Sequence, residues 1–395
     1  MNQQARLAQV RAALVERSAG NASTLALAGP ALVAGALAAG QHPLGTRQVL
    51  GAVSSLSAAL TGAGPLQPLL DDPAVTDVLV NGPRQVWVDS GAGLRQVEVD
   101  LGQERDVRAL AVRLAAASGR RLDEASPCVD ARLPQGVRLH AVLPPVSAGG
   151  TLLSLRVPAR RAFSLEELAC AGTVPPGWEM VLDQVVSRRL AFLVSGGTGS
   201  GKTTLLSCLL GRADPAERIV TVEDTVELSP RCPHLVRLEA RRANAEGIGA
   251  ISLAELVRQA LRMRPDRIVV GECRGAEVTD LLAALNTGHS GGCGTVHANA
   301  ARHVPARLEA LGMLAGISRQ ALARQMDSAL DVVVHLERPQ GLRRIMSVGV
   351  LAAAENGQVE VVEALTADAR DPASPGIRGP GWAALAGLLD GQPRG

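Results

Sequence analysis

Apolar positions follow two different patterns along the chain. Apolar and polar residues alternate on both sides of Asn81-Gly82, which predicts a strand, a turn and a second strand. Residues Glu104–Ala117 instead repeat apolar positions at helical spacing and predict an amphipathic helix. Two later runs, Ala191–Val194 and Ile268–Val270, are wholly apolar, as in buried parallel strands. The chain is therefore predicted to contain an α+β portion followed by an α/β portion.

The same patterns predict a helix and further strands near the carboxyl end. Residues Ser252–Arg262 have helical spacing, and Arg302–Ala329 form a longer helical stretch. Apolar runs over Val332–Leu336, Arg344–Leu351 and Val359–Leu365 predict strands. The domain order expected from all of these patterns is a helical amino-terminal segment (1–65), a smaller α+β domain (66–157), a linker (158–175), an α/β domain (176–368) and a flexible tail (369–395).

The amino-terminal segment contains an apolar stretch, Leu25–Ala39, that Pro30 and Gly35 interrupt. A membrane-spanning helix needs about 20 apolar residues, so we interpret this stretch as a buried helical hairpin, with a membrane-touching segment as the alternative. Gly62–Pro68 has the composition of a linker. Within 158–175, Ser164 and Glu167 have the spacing of a helix capping box.

Composition limits the classes of function. Of the 395 residues, 47% are apolar but only 1% are aromatic, so the cores must be built from aliphatic side chains. The formal net charge of +2 gives no global signal for binding polyanions. The six cysteines contain no C-x-x-C pair, which predicts reduced thiols in a cytosolic protein, without a disulfide framework or a zinc site.

The most specific motif lies between an apolar run and a helical segment. Residues 196–203 match G-x-x-x-x-G-K-[ST], in which glycines let backbone N–H groups turn toward a phosphate. Lys202 is expected to reach the β- and γ-phosphates, and Thr203 to hold Mg²⁺. Lys202 is also the only lysine among 40 basic residues, which fits a site that needs a compact ammonium. The predicted nucleotide-binding residues are Gly196, Gly197, Thr198, Gly199, Ser200, Gly201, Lys202, Thr203 and Thr204.

Two carboxylates follow predicted strands. Glu223 ends the strand Arg218–Val222, and Glu272 follows Ile268–Val270 after one glycine. Open α/β sheets bind ligands at the carboxyl ends of their strands, so either residue could position Mg²⁺ or a water molecule. The alternatives are an acidic residue that caps the following turn, in place of a functional Glu223, and an ordinary surface position at a strand end for Glu272.

Two regions support both a functional and an ordinary structural interpretation. The stretch Thr287–Ala300 carries His289 and His297 among glycines, with spacing poor for zinc, and is predicted to be a mobile loop near the phosphates. His297 is a candidate γ-phosphate contact or, equally, an ordinary loop histidine. Residues 120–138 alternate acidic and arginine side chains, which predicts a solvated loop or a surface that meets phosphate or another subunit.

Four motifs together resemble a family. GGTGSGKTT, VEDTVEL, LRMRPDRIVVGECRGAE and TGHSGGCGTVHANA are similar, in this order, to the Walker A, Asp box, Walker B and His box of the type II/type IV secretion ATPase superfamily. The resemblance covers roughly residues 66–365 and is closest to the Tad (tight adherence) pilus-assembly and conjugal-transfer-associated ATPases. One departure is Arg338-Pro339-Gln340-Gly341, where many relatives have an Arg-Asp-Gly turn.

The resemblance implies a fold and a set of site residues. Members of the family have a RecA-like P-loop NTPase domain after the smaller amino-terminal domain, and they form hexameric rings that bind ATP and Mg²⁺. By this resemblance Glu223 and Glu272 surround the water and the metal, with the choice of general base left open, and Glu272 shares Mg²⁺ with Thr203. His297, and less securely His289, belong to the His box. The candidate arginines, acting from the amino-terminal domain or a neighbouring subunit, are Arg132, Arg156 and Arg241.

The function expected from the resemblance is that of an ATPase motor for pilus assembly or protein secretion. It would act as a homo-hexamer in the cytoplasm, peripheral to the inner membrane and bound to a membrane platform protein. Direct nucleic-acid binding is not indicated, since no basic, aromatic-rich face is evident. The alternatives are a motor for conjugal DNA transfer, a septum- or partition-type switch, and a scaffold that binds nucleotide without hydrolysing it.

Overall fold

The computed structural model describes residues 62–91, 93–133, 136–158, 162–241, 243, 248–354 and 357–392. The chain divides into two compact units, Met1–Arg160 and Arg161–Gly395. The helices and hairpin predicted before residue 62 lie outside the described residues. Within the described residues, no helix combines the length and the apolar character needed to span a membrane.

The first unit is an α+β fold built on an antiparallel sheet. In its described residues, six strands lie in the order β3-β2-β1-β6-β5-β4, with helices beside them. The elements are α1 (Gln67–Asp71), β1 (Asp77–Gly82), β2 (Gln85–Asp89), β3 (Leu94–Val97), α2 (Glu104–Ala117), β4 (Cys128–Arg132), β5 (Arg138–Val142) and β6 (Leu152–Arg156). Alternate strand residues are buried, since one face of this sheet packs on the core.

The structure corrects two interpretations of this unit, the Gly62–Pro68 linker and the loop alternative for 120–138. Gly62–Pro68 is not a linker: Ala63 and Leu66 are buried in the core with Leu70 of α1, and a 3₁₀ turn precedes that helix. The charged stretch 120–138 is not simply a loop either, because it contributes β4 and the start of β5. Its charged residues alternate with buried apolar ones, as on a strand with one solvated face.

The second unit contains a mixed sheet with helices on both faces. Its elements are α3 (Leu165–Cys170), α4 (Glu179–Ser187), β7 (Phe192–Gly196), α5 (Lys202–Leu210), β8 (Ile219–Glu223), β9 (Leu235–Glu239), α6 (Leu253–Ala260), β10 (Arg267–Cys273), α7 (Glu277–Leu285), β11 (Cys293–His297), α8 (Val304–Leu314), α9 (Arg319–Ala329), β12 (Val332–Glu337), β13 (Arg344–Ala353), β14 (Val359–Thr366), β15 (Ile377–Arg378) and α10 (Trp382–Leu389). Across the described residues the strand order is β15-β14-β13-β12-β7-β11-β10-β8-β9.

Parallel pairing from β12 through β9 brings the carboxyl ends of these strands to one edge of the sheet. Strands β13 to β15 continue the sheet with antiparallel pairing. Successive residues of β7 enter the cores on opposite faces, since Phe192 and Val194 pack on one side and Leu193 on the other. The predicted α/β class of the second portion is confirmed by this sheet.

The amino end of the second unit includes part of the predicted linker 158–175. Helix α3 begins with the predicted capping box: the Ser164 hydroxyl accepts from the Glu167 N–H at 3.1 Å, and the Glu167 carboxylate accepts from the Ser164 N–H at 2.8 Å. Leu165 and Leu168 are buried in the same core as β7. This part of the chain is therefore packed structure, not a spacer.

Two regions expected to be mobile are ordered instead. Cys293–His297, within the predicted loop 287–300, is a strand between β7 and β10, because its small residues fit against the neighbouring backbones. The predicted flexible tail contains β15 and α10, whose Leu385 and Leu389 are buried in the core. Trp178 anchors the approach to β15 by donating its indole N–H to the Pro375 carbonyl at 2.7 Å.

The last helix is expected to contribute to the stability of the second unit. Leu385→Ala, which removes a fully buried side chain, should lower the free energy of unfolding by about 2–5 kcal/mol. The exposed Ala383 on the same helix provides the control, and Ala383→Ser should change stability by less than about 0.5 kcal/mol. Denaturant unfolding followed by tryptophan fluorescence measures both. An unfolding curve of Leu385→Ala that overlays wild type would show that α10 does not pack as described.

Candidate functional site

The phosphate loop joins β7 to α5 at the carboxyl edge of the parallel strands. Gly199 and Gly201 have φ of 72° and 98°, a region that favours glycine. A side chain at Gly196 would collide with the Leu336 carbonyl, and at Gly201 it would lie 3.2 Å from Arg343. Backbone conformation therefore favours glycine at positions 199 and 201, and the close approach of Leu336 or Arg343 leaves little room for a side chain at positions 196 and 201.

Lys202 lies inside this loop. Its ammonium group donates to the carbonyl of Gly196 at 3.0 Å and to that of Gly197 at 2.8 Å, and the side chain is buried. The positive end of α5 begins at the same residue. The loop thus concentrates positive charge and backbone donors in a small volume, which is the environment that a phosphate group requires.

Glu223 is buried at the end of β8. One oxygen, Oε1, accepts from the N–H groups of Glu227 and Leu228, each at 2.9 Å, while Oε2 is buried and accepts no hydrogen bond from the residues that the structure describes. Burial raises the pKa of Glu223 to about 7, and the two backbone hydrogen bonds offset this only in part. A carboxylate with a free oxygen and a pKa near neutrality can exchange a proton at physiological pH.

Gly271 makes room for this carboxylate. It lies on β10 beside Glu223, and a Cβ at this position would approach the Glu223 Cγ to 2.6 Å. The sequence shows a glycine where a P-loop NTPase usually has a strand-end aspartate. In the structure, the space that such a side chain would need is occupied by Glu223.

Gly271→Ala is accordingly expected to displace Glu223 and to lower ATP turnover by about a hundredfold, the effect of misplacing a catalytic group by about 1 Å. Binding of ADP should remain within a few-fold of wild type, because the phosphate loop is untouched. Gly149→Ala is the control, since a Cβ there meets nothing within 4 Å. Phosphate release and ADP titration measure the two quantities. Full turnover in Gly271→Ala would contradict the close approach.

Glu272 on β10 and His297 on β11 contact each other, on strands that lie between β8 and the β7 strand of the phosphate loop. The His297 Nε2 lies 3.1 Å from the Glu272 Oε1, and His297 pairs in register with Gly196. The other Glu272 oxygen accepts from Arg274 at 2.5 Å. Burial acts to raise the pKa of Glu272, but Arg274, His297 and Lys202 together hold it below its usual range. Burial, together with Lys202, also lowers the pKa of His297. Glu272 is therefore an anion and His297 largely neutral at pH 7.

Arg274 is a site residue that sequence reasoning missed. Besides Glu272 it approaches Asp224 at 3.5 Å, so it links a carboxylate at the end of β10 to one that follows β8. Its position two residues after Glu272 was the available signal. His335 was also missed: its Nδ1 lies 2.8 Å from the hydroxyl of Ser195, the residue before the phosphate loop. Burial lowers the pKa of His335 to about 4, so this contact involves a neutral imidazole.

Two other candidates lie away from the loop within their own unit. His289 precedes β11 at the opposite edge of the sheet, where its Nδ1 lies 3.2 Å from the Ala284 carbonyl. Arg241 follows β9, the last strand in the strand order, and its guanidinium donates to the Gly249 carbonyl. Four strand spacings of about 4.8 Å separate β9 from β7. Arg241 is thus not brought to the phosphate loop of its own subunit.

Arg132 and Arg156 belong to the first unit, where they form part of a row. Arg132 pairs with Arg138 across β4 and β5, and Arg138 pairs with Arg156 across β5 and β6. Directly opposed residues of antiparallel strands share a face, and like charges in this position are destabilising. The row is completed by Asp77, the register partner of Arg156. Three adjacent arginines on one face form a surface suited to an anion.

The sequence is similar to those of known secretion proteins. Residues 59–364 match the family described as "Type II/IV secretion system protein". A Mycobacterium tuberculosis protein named "Putative conjugal transfer protein" is 56% identical over 332 residues, covering 82% of this chain and 94% of that protein. The type IV secretion system protein PtlH of Bordetella pertussis is 36% identical over 308 residues, covering 71% and 91%.

Solved structures show the same fold. The Legionella pneumophila ATPase DotB aligns with a TM-score of 0.51 at 17% identity, covering 82% of this chain and 86% of that one. The pilus retraction motor PilT, solved with bound ADP, also gives a TM-score of 0.51, at 19% identity and 82% and 85% coverage. The predicted RecA-like fold and the resemblance to the secretion ATPase superfamily are confirmed. The chain belongs to the type II/IV secretion system protein family.

Proposed function

We propose that this chain is an ATP-hydrolysing motor that powers protein secretion or pilus assembly. The observation that carries the proposal is the arrangement of Lys202, Glu223 and Glu272 at one edge of the sheet, in a chain whose family match spans residues 59–364. Each part corresponds to a requirement of phosphoryl transfer: a charged donor for phosphate oxygens, a proton acceptor and a carboxylate for a metal. A scaffold that only binds nucleotide would not need a Glu223 poised near neutral pKa.

The residues present fit ATP and Mg²⁺. The buried Ser200 hydroxyl and the Glu223 Oε2 have no hydrogen-bond partner among the described residues, and a Cβ at Gly197 or Gly199 would meet nothing within 4 Å. The nucleotide would be held by Gly196–Thr204, and the metal by the Thr203 hydroxyl and Glu272. Bound there, Mg²⁺ would neutralise charge that develops on the phosphate oxygens.

The two glutamates suit different roles. Glu223 is the proposed general base: its pKa is raised to about 7 and one oxygen is free, so it can take a proton from the attacking water. Glu272 is the proposed metal-side carboxylate, because the neighbouring Arg274 keeps it ionised and holds its pKa below the usual range. His297 lies beside Gly196 and contacts Glu272, so a phosphate bound in the loop would change the position of Glu272 through His297.

We further propose a homo-hexamer in which arginines of the amino-terminal domain or of a neighbouring subunit reach the bound nucleotide. Arg132, Arg156 and Arg241 are the candidates, and the three adjacent arginines on the first unit support an anionic partner for the first two. An arginine that reaches the nucleotide only when an interface closes would couple hydrolysis to subunit motion. The proposed location is the cytoplasmic face of the inner membrane, peripheral to it and bound to a platform protein of the secretion or pilus machine.

A motor for conjugal DNA transfer is the second candidate, favoured by the name of the M. tuberculosis relative. Phosphate release from ATP and Mg²⁺, measured with and without single-stranded DNA, separates the two. The secretion motor predicts Mg²⁺-dependent turnover that DNA does not change. Stimulation by DNA would favour the transfer motor, and no turnover in any condition would contradict both.

A further inference from the structure

Strand β12 and Arg343, in the connection from β12 to β13, contact the phosphate loop and the residue before it. The Leu336 carbonyl lies against Gly196, and His335 contacts the Ser195 hydroxyl at 2.8 Å. Beyond the turn, Arg343 donates from Nε to the Gly199 carbonyl at 3.1 Å. Arg343 follows shortly after the sequence Arg338-Pro339-Gln340-Gly341, which forms the turn.

Arg343 contacts the loop through its stem as well as its guanidinium. Its Cδ lies 3.2 Å from where a Cβ of Gly201 would stand. Gly201 immediately precedes Lys202 and has the left-handed φ of 98°. The aliphatic part of Arg343 therefore covers the glycine from which α5 begins, while the Nε fixes the peptide two residues earlier.

Fixing the Gly199 carbonyl also fixes the next N–H. In a planar trans peptide, the C=O of Gly199 and the N–H of Ser200 point in opposite directions. With its carbonyl held by Arg343, the peptide directs the Ser200 N–H back into the loop, where it reaches the Gly197 carbonyl at a long 3.4 Å. The same Gly197 oxygen accepts from Lys202 at 2.8 Å.

Two donors thus converge on one oxygen inside the loop. The Ser200 N–H would transfer to a phosphate oxygen at small cost, since its hydrogen bond to Gly197 is long and weak. A loop with the Gly199 peptide free to rotate would have to order that N–H when the anion binds, which lowers affinity.

We propose that Arg343 is a positioning residue that pre-orients the Gly199–Ser200 peptide of the phosphate loop for a nucleoside di- or triphosphate. The inference rests on the proposed function and deepens it. Arg343 acts through the loop backbone, so it contributes equally to the ground state and the transition state. Its loss should therefore raise KM for ATP and leave kcat nearly unchanged.

The decisive variant is Arg343→Met, which keeps an aliphatic side chain over Gly201 but removes the donor. The dissociation constant of ADP and KM for ATP are both expected to rise about tenfold, the loss of one charged hydrogen bond. The kcat should change by less than about twofold. Arg343→Lys retains a donor of the same charge and should recover part of the affinity.

Arg338→Met is the matched control, because it removes the same charge from the same connection. The Nε of Arg338 donates to the Gly341 carbonyl within the turn. The ADP affinity of Arg338→Met should stay within about twofold of that of the wild type. An equal loss in both variants, a fall in kcat without a rise in KM, or a lowered melting temperature of Arg343→Met without ligand would overturn the positioning role.

The outcomes separate the inference from the proposed function. A wild-type protein that binds ADP but does not hydrolyse ATP would contradict the motor, while ADP titration of Arg343→Met still decides the positioning role. A wild-type protein that binds neither ADP nor ATP would overturn both. Wild-type ADP affinity in Arg343→Met, together with normal turnover, would overturn the inference alone.

Discussion

Lys202→Ala is expected to reduce ATP turnover by about a thousandfold, at the upper end of what removing one preorganised donor to a developing charge costs. The ammonium is buried within the loop and bonds two of its carbonyls, so no other side chain can substitute for it without rebuilding the loop. Because the chain has no other lysine, no neighbouring ammonium can compensate. Phosphate release at saturating ATP measures the effect.

Lys202→Arg tests whether the compact shape of the ammonium matters. The guanidinium is wider than the space between the Gly196 and Gly197 carbonyls that the ammonium occupies, so this variant is also expected to lose most turnover. Circular dichroism should show that both variants remain folded. Near-normal turnover in folded Lys202→Ala would mean that the phosphate loop is not the catalytic nucleotide site.

Glu223→Gln is expected to lower turnover by about a hundredfold to ten-thousandfold, the usual contribution of general acid–base catalysis. The amide keeps the size of the side chain and an oxygen that can accept from Glu227 and Leu228, so folding and ATP binding should be retained. Turnover falls because an amide cannot take the proton from water. Glu239, its register partner on β9, is exposed and provides the control.

The pH profile gives a second signature of Glu223. Its pKa is raised to about 7 by burial, so the ionised base predominates only above that pH. Turnover by the wild type should therefore rise as the pH increases through 7 and then level off. Glu239→Gln should keep this rise, whereas the residual activity of Glu223→Gln should lack it. A wild-type profile that is flat from pH 6 to 8 would contradict the assignment of Glu223 as the base.

The sequence was most informative where one residue type is chemically required. The phosphate loop at 196–203 was evident because glycine, lysine and threonine each serve a distinct need at fixed spacing. The strands that end near Glu223 and Glu272 were predicted because buried parallel strands are wholly apolar. The capping box of α3 was readable because both partners lie within four residues.

The features that the sequence did not reveal depend on contacts distant along the chain. The approach of Gly271 to Glu223 joins two strands 48 positions apart, and Arg343 meets Gly199 across 144 positions. Strand β11 was mistaken for a mobile loop because glycines that fit between neighbouring strands have the same composition as a flexible segment. Helix α10 was missed because proline and glycine before it dominate the local composition, while its apolar residues pack on a core formed by earlier elements.

The ATP-driven hexameric motor is tested most directly by measuring the mass of the assembly together with its ATP turnover. Light scattering with and without a non-hydrolysable ATP analogue would be paired with phosphate release, for wild type and for Glu223→Gln. A motor of this kind should form a hexamer that the analogue favours in both proteins, with rapid ATP turnover in the wild type alone. A monomer or dimer that shows negligible turnover at high concentration would contradict an autonomous ATP-driven motor.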